Sequence, residues 1–226
     1  MRRPYDYLVP VCVFGESSVG KTALLYRFRE DTFEDSVPTI GVEFSDKEIE
    51  VGSSVVKLQC WDTAGDTRFK STVKQYFRQK AACVVVFDLT DRATFNAVAQ
   101  WIDDLTAIAH PQATIILIGN KTDLPRKVPK IEVEEFAIKS GLKYFETSAK
   151  NGENVQKAFN YLAESVMLKL ERGDIKIEDE NIGIRKNGAL ISSDLISNDG
   201  FKQNDSKNDR SFLDTIWDMI CKKKKR

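Results

Sequence analysis

The octapeptide GESSVGKT at residues 15–22 constrains the fold of this chain more than any other stretch. It follows an apolar, β-branched run at residues 8–14 and precedes an amphipathic stretch at residues 21–29. The pattern G-x-x-x-x-G-K-[ST] between a strand and a helix is typical of a phosphate-binding loop, because the glycines let several backbone N–H groups face one anion. The positive N-terminus of the following helix adds to this attraction. We therefore expect a phosphate group to bind where the first strand ends.

Strands and helices alternate through roughly the first 170 residues, the pattern of a sheet covered by helices. Strands are predicted at residues 8–14, 41–51, 55–61, 83–89, 114–119 and 144–147, and helices at residues 21–29, 94–109, 131–140 and 154–170. The predicted fold is α/β: a mostly parallel six-stranded sheet with one antiparallel edge hairpin near residue 52 and helices on both faces. Ligands of such sheets bind beyond the C-terminal ends of the strands.

The composition is that of a soluble globular protein, since 42% of the 226 residues are hydrophobic and 30% are charged. Lys plus Arg and Asp plus Glu both number 34, so net charge gives no reason to expect nucleic acid as a partner. Cys12, Cys60 and Cys83 lie in apolar runs, and we expect small core residues in a reducing compartment. No apolar run approaches the ~20 residues that cross a bilayer, and a cytoplasmic protein is expected.

A second motif, NKTD at residues 120–123, follows the fifth predicted strand and selects the base. An ionised Asp123 only accepts hydrogen bonds, and guanine offers two adjacent donors, its ring N–H and its exocyclic amine. Adenine lacks that pair and would leave the carboxylate unpaired, which excludes an ATP-dependent kinase built on the same loop. Asn120 would bridge parts of the site and the Lys121 stem would cover the base. A backbone N–H of residues 148–150, Ser-Ala-Lys, would contact the guanine carbonyl oxygen.

Five segments, GESSVGKT, Thr39, WDTAG (residues 61–65), NKTD and SAK, resemble in order and spacing the guanine-nucleotide motifs of the Ras superfamily of small GTPases. Within it the chain is most similar to the Rab family, on TIGVEF (39–44), KLQCWDTAG (57–65), RFK (68–70) and YFR (76–78). The resemblance implies a P-loop small GTPase domain at residues 1–171. Such a domain binds GTP or GDP with Mg²⁺ and hydrolyses GTP.

The resemblance also implies a role for each matching residue. Thr22 and Thr39 would bind Mg²⁺ directly and Asp62 would bind it through a water. Lys21 would reach the outer phosphates, and Gly65 would donate its N–H to the γ-phosphate. Phe33 would stack on the guanine edge. The predicted nucleotide-binding set is Gly15, Glu16, Ser17, Ser18, Val19, Gly20, Lys21, Thr22, Ala23, Phe33, Thr39, Gly65, Asn120, Lys121, Asp123, Leu124, Ser148, Ala149 and Lys150.

The resemblance further implies a surface that effector proteins read in the GTP state, formed by Ile40, Val42, Phe44, Trp61 and Phe77. Core packing is the competing interpretation for Phe44 and Trp61. An exchange factor and an activating protein are implied as further partners, and a role in vesicle traffic follows from the resemblance alone.

Asp66 departs from the family pattern, which places Gln there to orient the attacking water. An ionised Asp about 5 Å from a phosphate charge would cost roughly 3 kcal/mol at an effective dielectric near 20. Alternatively, the repulsion would raise the pKa of Asp66 and keep its carboxyl group protonated. Among the predicted catalytic residues Lys21, Gly65 and Asp66, the last is therefore weak, and intrinsic GTP hydrolysis should be slow. The alternative function is a mostly GTP-bound scaffold or effector-binding module with negligible turnover.

The C-terminal part has a different composition. Residues 172–210 are mostly polar and are predicted to be a disordered linker. Residues 211–220 place five apolar side chains on one helical face, and five basic residues follow at 222–226. We expect this tail to dock peripherally on the cytosolic face of an anionic membrane, with Cys221 as an acylation site. A partner-binding helix, with the basic run as a nuclear import signal or solubiliser, and a tail that folds back on the domain remain alternatives.

Overall fold

The computed structural model describes residues 5–34, 39, 41–65 and 75–187. Its strands are β1 (Tyr7–Phe14), β2 (Val42–Val51), β3 (Ser54–Thr63), β4 (Ala82–Asp88), β5 (Thr114–Asn120), β6 (Lys143–Glu146) and β7 (Arg185–Lys186). Its helices are α1 (Lys21–Glu30), α2 (Arg92–Asn96), α3 (Val98–Thr106), α4 (Lys130–Lys139) and α5 (Val155–Arg172), and a 3-10 turn spans Gln75–Phe77. All strands and helices predicted within the first 170 residues are present. The helix predicted at residues 94–109 is divided at Ala97 into α2 and α3.

The first six strands follow the order β2-β3-β1-β4-β5-β6 across the sheet. Within this row only the β2–β3 pair is antiparallel. The turn between these two strands contains Gly52 with a φ of 59°, a conformation that favours glycine. The predicted α/β class with one edge hairpin is therefore confirmed. Because the remaining strands run parallel, the C-terminal ends of β1, β3, β4 and β5 meet at one edge of the sheet, where the sequence motifs lie.

Two apolar layers cover the sheet, because alternate residues of β1 face opposite sides. The odd-numbered residues from Val9 to Val13 pack under α1 and α5, where Phe28 and Phe159 stack with ring centroids 4.2 Å apart. The even-numbered residues face the layer formed by α2, α3 and α4.

The three cysteines of the described part are core residues, as predicted. Cys12, Cys60 and Cys83 are buried and free. Burial raises the pKa of all three thiols, to about 12 for Cys60 and Cys83. The three side chains therefore act as small apolar core residues, and their thiols are not reactive nucleophiles.

A C-terminal strap, residues 173–187, corrects the domain boundary that the sequence predicts at residue 171. Ile175, Ile182 and Ile184 are at most 5% exposed and lie in the same apolar layer as α1 and α5. The predicted linker contains too few apolar residues for a core of its own, but these three join a core that already exists. The compact unit consequently extends to Asn187.

The strap ends in β7, which gives the sheet a seventh strand instead of the predicted six. β7 pairs antiparallel with Tyr7 and Leu8 of β1. This edge of β1 is open there because β4 begins opposite Val11, while β3 occupies the other edge. The strap therefore lies at the end of the sheet that is remote from the sequence motifs.

Several predictions of the sequence lie outside the described residues: Ile40, Asp66, the tail at residues 211–226 and Cys221. Within the described ranges, no helix combines the length and the apolar character that crossing a bilayer requires.

Candidate functional site

Residues 15–20 form a loop between β1 and α1 that requires glycine at both ends. Gly15 and Gly20 have φ values of 142° and 94°, which L side chains rarely adopt. A Cβ on Gly20 would lie 2.5 Å from Nδ2 of Asn120, and a Cβ on Gly15 would overlap the carbonyl oxygen of Val86. The loop backbone is therefore seated directly against the ends of β4 and β5.

Lys21, the first residue of α1, directs its buried ammonium back into this loop. Its Nζ donates hydrogen bonds to the carbonyl oxygens of Gly15 at 2.9 Å and Glu16 at 2.8 Å. Burial lowers the pKa of Lys21 to about 8, although the carboxylates of Asp62 and Glu16 favour its charged form. A buried cation whose hydrogen-bond partners are neutral carbonyls favours the binding of an anion at the loop.

Three oxygen-bearing side chains from separate segments meet beside Lys21. Oγ1 of Thr22 donates to Oδ2 of Asp62 at 2.6 Å and lies 2.7 Å from Oγ1 of Thr39. Oγ1 of Thr39 donates to the same carboxylate oxygen at 3.2 Å. The other oxygen, Oδ1 of Asp62, is buried and has no hydrogen-bond partner among the residues that the structure describes. Burial also raises the pKa of Asp62.

These three side chains fit a magnesium ion. Mg²⁺ takes hard oxygen ligands and usually keeps water and phosphate oxygens among them, so a few protein oxygens suffice. The described ranges contain no group of three or more His, Cys, Asp or Glu side chains that could hold a metal ion. A cation beside Oδ1 of Asp62 would compensate the buried carboxylate, which the two hydroxyl groups do only in part.

Asn120 joins three loops at this edge of the sheet. Its Nδ2 donates to the carbonyl oxygen of Val19 in the phosphate loop at 2.9 Å. Its Oδ1 accepts from the Thr147 hydroxyl and from the Ala149 backbone N–H, both at 3.2 Å. The bridging role expected for Asn120 is therefore visible in its geometry, and its side chain is almost completely buried.

The other two side chains of this motif also lie at the same edge. Nζ of Lys121 donates to the carbonyl oxygen of Ser18 at 2.8 Å, so its stem runs from β5 to the phosphate loop. Asp123 is exposed, and its Oδ1 accepts from the Ser148 hydroxyl at 2.5 Å. The carboxylate is thus oriented by the 148–150 segment, and its exposure leaves it accessible to a ligand.

Two residues that support the site were not predicted from the sequence. Arg27 of α1 donates from Nε to the carbonyl oxygen of Ala149 at 2.8 Å and from Nη2 to that of Lys150 at 2.6 Å. Asp88, at the end of β4, pairs with Nζ of Lys121 at 2.6 Å. A carboxylate at the end of an otherwise apolar strand was the only sequence signal for Asp88, and nothing in the sequence distinguishes Arg27.

The remaining predicted nucleotide residues differ in their surroundings. A Cβ on Gly65 would come within 2.5 Å of Nζ of Lys21, so the backbone of Gly65 approaches the ammonium closely. Ala23 is buried in α1, whereas Ser17 is exposed. Phe33 and Leu124 expose 39% and 45% of their surface. Both side chains are therefore accessible to a ligand, but exposure alone does not show that they bind one.

An aromatic row borders the site on the β2–β3 hairpin. Phe44 is 69% exposed, and its ring centroid lies 5.9 Å from that of Trp61. Trp61 in turn lies 5.7 Å from Tyr76 and carries Nζ of Lys80 at 4.6 Å from its ring. Val42 is half-buried at the start of β2. Phe44 is therefore a surface residue and not a core residue, and Trp61 is intermediate.

Phe77 does not belong to this surface, contrary to the prediction. Its side chain is fully buried, and its ring meets that of Phe14 edge-on at a centroid distance of 4.3 Å. The 3-10 turn directs Phe77 inward and leaves Tyr76 beside Trp61. Tyr76 is consequently the residue of this turn that takes part in the aromatic row.

Comparison with known proteins agrees with this geometry. A family model described as the Ras family matches residues 10–168. The chain is 41% identical to Ras-related protein Rab-4B of Homo sapiens over 194 residues, which cover 84% of this chain and 91% of that protein. It is 42% identical to Ras-related protein Rab-4A of Homo sapiens over 194 residues, 84% of this chain and 89% of that protein. The match to Ras-related protein Rab-4A of Danio rerio is also 42% identical over 194 residues.

Proposed function

This chain belongs to the Ras family and is a small GTPase similar to Rab proteins, and on that premise we propose a Mg²⁺-dependent switch between GTP-bound and GDP-bound states. The observation that carries the proposal is the meeting of Lys21, Thr22, Thr39 and Asp62 at the end of β1. A buried ammonium beside three metal-type oxygens suits a phosphate chain that is bound together with a divalent cation.

The described side chains divide the work of holding the nucleotide. Lys21 would exchange its two carbonyl partners for phosphate oxygens, and the Gly65 N–H would face the terminal phosphate. Mg²⁺, when bound, neutralises charge on the phosphates. Thr22 and Thr39 would be its direct ligands and Asp62 would act through a water. Because Thr39 comes from a separate segment, loss of the terminal phosphate would release it and change the surface around it.

Guanine would be selected by Asp123. Its carboxylate accepts from both donors of the guanine edge, while Ser148 keeps it oriented at 2.5 Å. Lys121 would cover one face of the base, and the loop at residues 148–150 would supply a backbone N–H. The ties of Asn120 to Val19 and Ala149 support this proposal, since they couple base binding to the phosphate loop.

We further propose that intrinsic GTP hydrolysis is slow because Asp66 stands where Gln orients the water in the family. An activating protein would then supply catalytic side chains. A mostly GTP-bound scaffold with negligible turnover is the second candidate, and the same residue motivates it.

The partners and the place of action are part of the proposal. An exchange factor, an activating protein and effectors would bind the chain, and effectors would contact Phe44, Trp61 and Tyr76. The basic, amphipathic tail at residues 211–226 would dock on the cytosolic face of an anionic membrane. A role in vesicle traffic is supported by the similarity to Rab proteins.

Nucleotide content of the purified protein tests the proposal directly. The chain would be denatured after rapid purification and the released nucleotides separated by chromatography. About one guanine nucleotide per chain, mainly GDP, supports the cycling enzyme, and mainly GTP supports the scaffold. A protein that carries no guanine nucleotide and binds none with added Mg²⁺ would contradict both.

A further inference from the structure

A carboxylate lies within the phosphate loop itself. Glu16 is the second residue of GESSVGKT, and its backbone carbonyl accepts the hydrogen bond from Lys21 at 2.8 Å. A Cβ on Gly65 would approach this same carbonyl as closely as it approaches Lys21. The backbone of Glu16 therefore contacts two groups that would bind the terminal phosphate. Its side chain brings a negative charge to a loop that must accept anions.

The side chain of Glu16 accepts a hydrogen bond from an indole on a neighbouring helix. Nε1 of Trp101, on α3, donates to Oε1 of Glu16 at 3.0 Å. Trp101 is only 3% exposed, and its ring stacks on Phe14 at a centroid distance of 6.2 Å. Phe14 is the last residue of β1, so packing places the indole directly behind the start of the loop.

We propose that Trp101 is a positioning residue for the phosphate loop: its indole N–H fixes the Glu16 carboxylate and thereby the backbone carbonyl that Lys21 and Gly65 contact. The inference rests on the proposed nucleotide site and adds a residue from a helix that contains none of the predicted site residues. A neutral donor suits this role because it binds the carboxylate without competing with the phosphates as a counter-charge.

A purely structural role for Trp101 makes a different prediction. If the ring only filled space, Trp101→Phe would change stability, and its effect on nucleotide release would be independent of Glu16. If the hydrogen bond positions the loop, the two residues are coupled, and removing both partners costs no more than removing one.

The kinetic test measures release of a fluorescent GDP analogue from the full chain with Mg²⁺. Trp101→Phe and Glu16→Ala should each raise the release rate about tenfold, the scale of a hydrogen bond to a charged group. The double variant should be no faster than either single variant. Glu16→Gln, which keeps an acceptor oxygen, should recover most of the loss. Gln100→Ala, an exposed neighbour on α3, is the matched control. The proposal would be overturned if the rate increases of the two single variants multiplied in the double variant. An unchanged release rate in Trp101→Phe would also overturn it.

A spectroscopic test separates this inference from the nucleotide assignment. The indole N–H signal of Trp101 is identified in a ¹⁵N-labelled protein by its loss in Trp101→Phe. Glu16→Ala should shift that signal upfield as the hydrogen bond is lost, and should leave the Trp61 indole signal in place. This holds whether or not the chain binds guanine nucleotides. If the Trp101 indole signal did not shift in Glu16→Ala, the hydrogen bond between Trp101 and Glu16 would not exist in solution.

Discussion

The ammonium of Lys121 lies 2.6 Å from the carboxylate of Asp88, across the ends of two adjacent parallel strands. Asp88 is 6% exposed and also accepts hydrogen bonds from the backbone and hydroxyl of Thr90, at 2.8 and 2.7 Å. Asp88 is thus fixed on both sides and determines where the Lys121 side chain runs. The orientation of Lys121, which we propose covers the base, therefore depends on an ion pair with a buried carboxylate.

Substitution Asp88→Asn should weaken guanine-nucleotide binding about tenfold, because it keeps the acceptor for Thr90 but ends the attraction to Lys121. The measurement is the dissociation constant for GDP at fixed Mg²⁺ concentration. Asp103→Asn, at an exposed position of α3, is the control for the charge change. Equal affinity in Asp88→Asn and wild type would show that the pair does not position Lys121.

Substitution Asp123→Asn should reduce GDP affinity at least about hundredfold, since the amide presents one acceptor and one donor to two guanine donors. The amide matches xanthine, in which a carbonyl replaces the amine. Competition between GDP and XDP is the measurement, and XDP should become the preferred ligand. A variant that still prefers GDP would mean that Asp123 does not read the base edge.

Substitution Asp66→Gln should speed intrinsic GTP hydrolysis about tenfold, because the amide orients water and carries no charge. The rate is measured in a single turnover of preloaded protein without an activating protein. Asp66→Asn, which removes the charge but keeps the shorter side chain, separates electrostatic repulsion from reach. A rate in Asp66→Gln that equals or falls below wild type would contradict the role assigned to Asp66.

Removal of Mg²⁺ with a chelator should accelerate GDP release about tenfold, because the phosphates then lose one of the positive charges that face them. Asp62→Asn keeps the volume but removes the buried charge, so half-maximal retention of GDP should need about tenfold more Mg²⁺. A titration of the release rate against Mg²⁺ concentration measures both effects. Identical titration curves for wild type and Asp62→Asn would exclude Asp62 from the metal site.

Loss of the C-terminal strap should destabilise the domain even though the strap lies far from the nucleotide. Ile182→Ala removes a fully buried side chain, costs about 2–5 kcal/mol, and should lower the Tm by about 5–15 °C. A chain ending at residue 173 should be less stable still, whereas one ending at residue 187 should unfold near the full-length Tm. Thermal unfolding at saturating GDP is the measurement. Equal Tm values for the 173 and 187 chains would mean that the strap does not contribute to the core.

The sequence was sufficient to place residues where a recognisable motif directly follows the regular apolar pattern of a strand. The motifs around Lys21 and Asn120 could be placed because each follows an apolar run, and parallel strands bring such ends to one edge. Phe77 was misplaced because adjacent aromatic residues in a turn give no period that distinguishes the inward side chain from the outward one. Tyr76 was missed for the same reason.

The strap and the supporting contacts required three-dimensional information. Ile182 and Ile184 are two residues apart and Ile175 lies seven residues earlier, so the three share no single sustained period. Their burial depends on a core that other elements form. Arg27 and Trp101 act on residues 122 and 85 positions away in the chain. Such contacts depend on how the layers pack and cannot be read from local patterns.

The pairing of β7 with β1 has a mechanical consequence. Asn187 is fastened to the first residues of the domain, since its backbone N–H donates to Asp6 and its Nδ2 to Tyr5, both at 2.8 Å. A force applied to the chain after Asn187 would act on the two-residue pairing of β7 with β1 before it acts on α5. The tension passes into β1, a strand of eight residues and about 26 Å whose far end leads into the phosphate loop. Strand β1 would therefore transmit a force applied beyond Asn187 to the loop at residues 15–20.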